Sequence, residues 1–185
     1  DATLKRKKSE TYFVGSMADI FHTDVPDDFL VQIHKVFERC PQHIFQVLTK
    51  RSERMKELYT KGCLREFVSL KNLWLGVSVE NKEYGFPRMD DLKSIPINTR
   101  FIMCEPLLED LGSIDLKGIH WLPCGGESGK GFRDVDVDWF RSLRDQCIEQ
   151  RVPFFFKQYS GLKPRNQLLD GRTWFERPPV PNKGS

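Results

Sequence analysis

Short apolar runs alternate with longer amphipathic segments along most of the chain. The apolar runs have the length of buried strands, and they lie at 12–14, 43–51, 73–81, 100–106, 119–127 and 152–158. Apolar residues recur at helical spacing within 24–40 and within 136–151, and Ser52 and Gly62 mark the start and end of a third helix. The link 107–118 is too short for a full crossover helix, so we expect one turn or a loop there.

The predicted strands are apolar on both faces, which is typical of parallel sheets covered by helices. The sequence therefore predicts an α/β fold with mainly parallel strands and about six strand–helix units. We expect a single domain over residues 1–178, because 185 residues correspond to one to one-and-a-half average domains. The proline-rich end predicts a flexible tail at 179–185.

Composition restricts the class of protein further. The hydrophobic content of 39% excludes disordered and fibrous proteins. The net charge of +3 is spread along the chain, so it permits a nucleic-acid partner without demanding one. Five cysteines at wide spacing, without a C-x-x-C pair, predict reduced thiols and a cytoplasmic protein. No apolar run approaches the roughly 20 residues of a membrane span, so we expect no membrane association.

Each predicted strand ends on polar or charged residues. In parallel α/β folds, and above all in β/α barrels, the carboxyl ends of the strands share one edge, so these residues would converge. We call them the strand-end residues: Asp19, Lys50, Arg51, Glu80, Asn81, Glu105, Glu127, Ser128, Lys157 and Gln158. Together they can position a polar ligand or shift one another's pKa for acid–base chemistry. Alternatively, individual members pair as salt bridges that close the edge.

The stretch CGGESGKG at 124–131 looks like a phosphate loop. It does not match G-x-x-x-x-G-K-[ST], because Cys124 stands where the first glycine belongs and Gly131 where the metal-binding hydroxyl belongs. A P-loop of the nucleoside-triphosphatase type is therefore excluded. Gly125, Gly126 and Gly129 either let backbone N–H groups approach an anion or a cofactor, or they form a tight turn after the strand.

Two other groups of residues have a functional and a structural interpretation. Cys104 and Cys124 lie near strand ends, but we expect them to be small buried hydrophobic residues and not metal ligands. The segments KPRNQ and GRTWFERP near the C terminus mix basic and aromatic residues and could contact nucleic acid. A packed C-terminal cap that uses Trp174 and Phe175 is the preferred interpretation.

The order of the segments resembles a family of bacterial and phage proteins, the phage-related three-Cys-motif proteins of unknown function. The resemblance runs from about Tyr12 to Pro178. It is carried by SMADIFHTDVPDDF, HIFQVLTKRSERM, LWLGVSVEN, RFIMCEPLL, GGESGKGFR, DWFRSLRDQC, VPFFFKQ and LDGRTWFERP. It implies a partial β/α barrel like that of radical S-adenosylmethionine enzymes.

The resemblance also implies two cofactors. Family members carry an N-terminal region with three close cysteines that is thought to hold a [4Fe–4S] cluster. The printed sequence contains no such triplet, so we expect either a C-terminal part of a longer enzyme or a protein that cannot build the cluster. By strand order, the resemblance assigns S-adenosylmethionine to Ser16, Asp19, Ser78, Glu80, Asn81, Glu105, Gly125, Gly126, Glu127 and Ser128. It leaves Lys50, Arg51, Lys157 and Gln158 to contact the substrate.

Two functions are consistent with these observations. The first is the C-terminal part of a radical S-adenosylmethionine and [4Fe–4S] enzyme that acts on nucleic acid or a nucleotide, by analogy with lesion-repair members of that superfamily. This chain alone would then be inactive. The second is a non-catalytic, phage-related module that binds nucleic acid or a partner protein. Hydrolysis at the carboxylates lacks a visible pair of nucleophile and base.

Overall fold

The structure is a computed structural model, and it describes residues 6–15 and 18–179. Ser16 of the predicted cofactor site and residues 180–185 of the predicted tail lie outside the described residues. The elements are β1 (Thr11–Val14), α1 (Asp27–Arg39), β2 (Ile44–Thr49), α2 (Ser52–Thr60), a 3-10 helix (Arg65–Ser69), β3 (Leu73–Ser78), α3 (Lys82–Ser94), β4 (Thr99–Met103), β5 (Leu122–Cys124), α4 (Val137–Glu149), β6 (Phe154–Phe156), β7 (Leu168–Leu169) and β8 (Arg172–Thr173).

Parallel strand pairing organises the fold. A four-stranded sheet has the order β1-β2-β3-β4, with Val14 opposite Val47 and Val47 opposite Leu75 in parallel register. β5 and β6 also pair in parallel, with Leu122 opposite Phe154. The predicted α/β fold with parallel strands is therefore confirmed. Among the described residues the strands do not show a closed barrel.

The three predicted helices form, two of them at the apolar stripes. The third begins at Ser52, but Ser52 is its first residue and not its N-cap, and the Ser52 hydroxyl donates to Asp91 Oδ2 at 2.7 Å. α1 begins with Asp27 and Asp28, whose negative charges suit a helix N-terminus, and it buries Leu30 and Phe37. In α4 the Asp136 side chain accepts a hydrogen bond from the backbone N–H of residue 138 and caps the helix. None of the helices in the described part of the chain is long and apolar enough to cross a membrane.

The link between β4 and β5 contains no helix among residues 107–118, as the sequence predicts. Gln146 on α4 and Gln150, the C-cap residue of that helix, bond to the backbone of the link instead. The Gln146 amide donates to the Gly112 carbonyl at 2.9 Å and accepts from the Ile114 N–H at 2.8 Å. Gln150 accepts from the N–H of residue 116 at 2.8 Å and donates to the Ile114 carbonyl at 3.0 Å. These bonds replace the internal hydrogen bonds that a crossover helix would provide.

The chain divides into two compact units. The first consists of the described residues of Asp1–Val77, of Asp90–Arg100 and of Pro179–Ser185, and the second consists of Ser78–Met89 and Phe101–Pro178. Each unit has its own buried residues. The first buries Phe21, Leu30, Val47, Met55, Tyr59 and Leu75, and the second buries Phe101, Cys124, Phe140, Phe154 and Phe156.

Candidate functional site

In the first unit, residues at the end of β2 donate hydrogen bonds to the carboxylate of Asp19. It accepts hydrogen bonds from Thr49 Oγ1 at 2.8 Å, the Lys50 N–H at 3.2 Å and Arg51 Nη1 at 3.1 Å. The Phe21 N–H donates to it at 2.9 Å. A carboxylate offers about four acceptor positions, so these bonds fill it. The structure therefore brings Asp19, Lys50 and Arg51 together in an arrangement that fixes the loop after β1.

Arg54 on α2 holds the same loop from a second direction. Its guanidinium donates to the carbonyls of Phe21 at 3.4 Å, of His22, and of Val25 at 2.7 Å. It also pairs with the Asp27 carboxylate at 2.7 Å. Arg54 and Thr49 are absent from the predicted site because nothing in their spacing links them to a loop about 30 residues earlier in the chain.

In the second unit, the ends of β4 and β6 bring three strand-end residues into one cluster. Lys157 Nζ lies 2.6 Å from Glu105 Oε2, and Gln158 Nε2 donates to Glu105 Oε1 at 2.8 Å. We call these three residues the Glu105 cluster. The Glu105 side chain is 18% exposed and that of Lys157 42%, so solvent reaches the cluster from the lysine side.

Backbone pairing beyond β5 and β6 explains why these side chains meet. The N–H of Lys157 donates to the Cys124 carbonyl at 2.8 Å, and the N–H of Gly126 donates to the Gln158 carbonyl at 2.9 Å. The N–H of Gly125 donates to the carbonyl of residue 104 at 3.1 Å. A Cβ on Gly126 would lie 2.2 Å from the Ser160 nitrogen, so only glycine fits there. Because both glycine amides are used internally, neither is free to bind an anion.

The loop after Gly126 is closed by an ion pair. The Glu127 carboxylate accepts hydrogen bonds from Arg133 Nε at 2.9 Å, from Nη2 at 2.8 Å and from the Arg133 N–H at 2.8 Å. These bonds lower the pKa of Glu127 to about 2. Its own N–H donates to Ser160 Oγ at 3.2 Å. Ser128 follows, exposed, in a parallel bridge with Gly161.

Three more predicted residues lie at the end of β3 and the start of α3, and they have internal partners. Glu80 is 6% exposed, and its carboxylate accepts from Arg88 Nη1 at 2.8 Å. The same nitrogen donates to the Ser78 carbonyl at 3.0 Å. Asn81 Oδ1 accepts from the Tyr84 N–H at 3.0 Å, as an N-cap does. Arg88 and Arg133 were missed, since an arginine in a polar helix or loop has no distinctive sequence signal.

Three of the cysteines lie near one another in the second unit: Cys104 and Cys124 form a parallel bridge, and Cys147 contributes, less than burial does, to the raised pKa of both thiols. Cys104 and Cys124 are buried, and burial raises the pKa of each thiol, which confirms them as small buried residues. Burial also raises the pKa of Cys147 to about 12. Within residues 6–15 and 18–179, no three His, Cys, Asp or Glu side chains are grouped so as to hold a metal ion.

The C-terminal segment packs as a cap on the second unit. The Phe156 N–H donates to the Trp174 carbonyl at 2.8 Å, and Phe175 stacks on Phe155 with ring centroids 5.0 Å apart. Trp174 is 8% exposed, and its indole N–H donates to the Leu169 carbonyl at 3.2 Å. The preferred interpretation of Trp174 and Phe175 as cap residues is confirmed.

Comparison with known proteins gives one match. A family model described as "Protein of unknown function (DUF5131)" matches residues 1–178. No curated protein matches the chain, and no solved structure matches it. The family match covers the whole second unit, the first unit as far as Arg100, and all the strand-end residues. The chain therefore belongs to the DUF5131 family of proteins of unknown function.

Proposed function

We propose that this chain is the S-adenosylmethionine-binding part of a phage-related enzyme of the radical S-adenosylmethionine type, with a partial β/α barrel. One observation carries the proposal. The ends of β4 and β6, on either side of β5, hold an ammonium and an amide within 2.8 Å of one partly exposed carboxylate, at the edge where parallel α/β folds bind ligands. The resemblance in strand order supplies the identity of the ligand.

The chemistry of the Glu105 cluster fits the amino-acid end of S-adenosylmethionine. That end carries an ammonium and a carboxylate, and the cluster offers one group of each opposite charge. Glu105 uses two of its roughly four acceptor positions on Lys157 and Gln158, which leaves acceptors for a ligand ammonium. Lys157 is the group that would pair with the ligand carboxylate. In the first unit, Lys50 and Arg51 stay candidates for contact with a substrate.

The described residues do not fit a [4Fe–4S] cluster. Such a cluster needs several thiolates grouped together, whereas Cys40, Cys104, Cys124 and Cys147 are buried and no metal-binding group occurs among the described residues. The five cysteines of the printed sequence therefore do not supply the ligands of such a cluster. The proposal gives the residues of this chain the role of binding and orienting S-adenosylmethionine, and the cluster of a radical S-adenosylmethionine enzyme would supply the electron for its reductive cleavage.

Equilibrium dialysis with labelled S-adenosylmethionine tests the binding part of the proposal. We expect saturable binding to the chain, weakened at least tenfold by Glu105→Gln and by Lys157→Met. Glu149→Gln and Lys61→Met are matched controls, because both residues are exposed and lie outside the Glu105 cluster. Absence of saturable binding, or equal binding by the cluster variants and the controls, would refute the proposal.

The catalytic part needs the full encoded protein produced without oxygen. We expect a brown protein that cleaves S-adenosylmethionine reductively. A colourless protein that acquires no cluster on reconstitution would favour the second candidate function, a non-catalytic, phage-related module that binds nucleic acid or a partner protein. Nucleic-acid binding is favoured by a separate observation, the concentration of positive charge on two loops of the second unit.

A further inference from the structure

Two loops of the second unit are joined along their backbones. They comprise residues 126–133 and 157–165, and we call them the paired loops. The Gly161 N–H donates to the Glu127 carbonyl at 3.0 Å, and the Gly129 N–H donates to the Gly161 carbonyl at 3.1 Å. The pairing of β5 with β6 thus continues past the strands, and the backbones of the two loops run side by side as far as Gly129 and Gly161.

The paired loops are strongly basic. Their 17 residues contain five Lys or Arg and one Glu, a formal charge of +4, which exceeds the +3 of the whole chain. Arg133 is neutralised by Glu127, and Lys157 by Glu105. The other three cations are exposed and have no acidic partner within 4.0 Å in the part of the chain that the structure describes: Lys130, Lys163 and Arg165.

The first loop is shaped to present its tip. The bonds between Glu127 and Arg133 close it, and Gly129 and Gly131 flank Lys130 with φ values of +107° and +80°. Phe132 follows, with 38% of its surface exposed. A loop held in this way loses little conformational entropy when a ligand binds to its tip.

We propose that the paired loops bind single-stranded nucleic acid. Lys130, Lys163 and Arg165 contact phosphates, and a base stacks on the ring of Phe132. Cations without acidic partners and an exposed aromatic ring suit a single strand, because every unpaired base offers a π-face and every nucleotide a phosphate. A duplex buries its base faces and would use the cations alone. The inference gives the proposed function a substrate surface, but it can be tested without S-adenosylmethionine.

Fluorescence anisotropy with a labelled single-stranded oligonucleotide of mixed sequence tests the role of charge. The triple variant Lys130→Gln, Lys163→Gln, Arg165→Gln should bind at least tenfold more weakly. The slope of log affinity against log salt concentration should become shallower by about 2, since each lost phosphate contact on a single strand removes about 0.7. The control triple Lys35→Gln, Lys61→Gln, Lys71→Gln removes the same charge from exposed positions in the first unit and should leave the slope unchanged.

Phe132→Ala tests stacking. We expect on the order of tenfold weaker binding of the single strand and little change for a duplex of the same sequence. Phe29→Ala is the control, because Phe29 is 52% exposed on α1 in the other unit. The inference is overturned if both triple variants lose affinity equally, or if Phe132→Ala binds the single strand as the unaltered chain does. Circular dichroism checks that each variant is folded.

The outcomes separate this inference from the proposed function. Glu105→Gln should lose S-adenosylmethionine binding without any loss of oligonucleotide affinity, since it leaves Lys157 in the paired loops without its acidic partner. S-adenosylmethionine binding without oligonucleotide binding refutes only the surface inferred here. Oligonucleotide binding without S-adenosylmethionine binding refutes only the enzyme proposal.

Discussion

Lys157 Nζ lies 2.6 Å from Glu105 Oε2, and this ion pair joins the ends of two parallel strands, β6 and β4. A pair with one partner 42% exposed contributes at most about 1 kcal/mol to stability, because water screens it. Residues placed for binding often contribute nothing to stability or reduce it. If the pair is a salt bridge that closes the edge, substitution should mainly lower stability. If the pair is a ligand site, substitution should mainly lower affinity for the ligand.

The first prediction concerns Glu105→Gln and Lys157→Met. Each should change the free energy of unfolding by less than about 1 kcal/mol, since Lys157 is half-exposed and can be solvated. Each should raise the dissociation constant for S-adenosylmethionine at least tenfold. Urea denaturation and equilibrium dialysis measure the two quantities. A loss of more than about 2 kcal/mol with unchanged affinity would make the pair structural.

The two-residue strands β7 and β8 were not predicted. Strands β1 to β6 were predictable because short apolar runs are typical of buried parallel strands. β3 illustrates this, since every residue from Leu73 to Ser78 is buried. The helix α3 had no comparable signal. It contains Pro87 and Gly85, which weaken helix propensity, and its polar residues do not leave one clear apolar stripe.

The candidate site was only partly predictable, for a different physical reason. Parallel pairing places Glu105, Lys157 and Gln158 together, and strand ends can be recognised in a sequence. Which carboxylate meets which cation depends on loop geometry, and no periodic pattern encodes it. Glu127 illustrates the difficulty: its partner, Arg133, is six residues away, and they meet only because the intervening loop turns back at its glycines.

The second prediction concerns Gly126, where a Cβ would lie 2.2 Å from the Ser160 nitrogen. Gly126→Ala should lower the free energy of unfolding by about 1–3 kcal/mol, because backbone has to shift to admit the methyl group. Gly161→Ala is the matched control in the neighbouring loop, where the nearest atom to a Cβ is 3.7 Å away. Thermal denaturation compares the two variants, and equal effects would contradict the close approach.

The third prediction concerns His34, which is buried in the first unit. Its Nδ1 donates to the Leu30 carbonyl at 2.7 Å, so its Nε2 accepts the hydrogen bond from the Tyr59 hydroxyl. Burial lowers the pKa of His34 from 6.5 to about 4. The unfolded chain therefore takes up this proton near pH 6.5, whereas the folded chain does so only near pH 4.

Stability from this group is full above pH 6.5 and declines as the pH falls towards 4, by on the order of 3 kcal/mol. Urea denaturation across this range measures the decline. His34→Gln should flatten the dependence, because it removes the titrating group. An identical slope in the variant and the unaltered chain would show that His34 is not buried in its neutral form. Tyr59→Phe should lower stability at every pH, since it removes the donor to Nε2.

The fourth prediction concerns closure of the first of the paired loops by Glu127. Its pKa is lowered from 4.5 to about 2 by hydrogen bonds from Arg133, so the closed loop is favoured above pH 4.5 and loses this support as the pH falls from 4.5 towards 2. Glu127→Gln should remove most of that support at neutral pH, because a neutral amide cannot replace a carboxylate that is bound bidentately.

Hydrogen exchange of the Arg133 backbone N–H measures closure directly, since this group donates to Glu127 Oε2 at 2.8 Å. After correction for the intrinsic rate, its protection should be lower in Glu127→Gln than in the unaltered chain, while protection of the Lys157 N–H in the adjoining ladder stays the same. If Glu127 preorganises the loop tip, Glu127→Gln should bind the oligonucleotide more weakly and also show less protection of the Arg133 N–H, although the variant gains positive charge. A rise in affinity would show that net charge alone, and not the shape of the loop, governs binding.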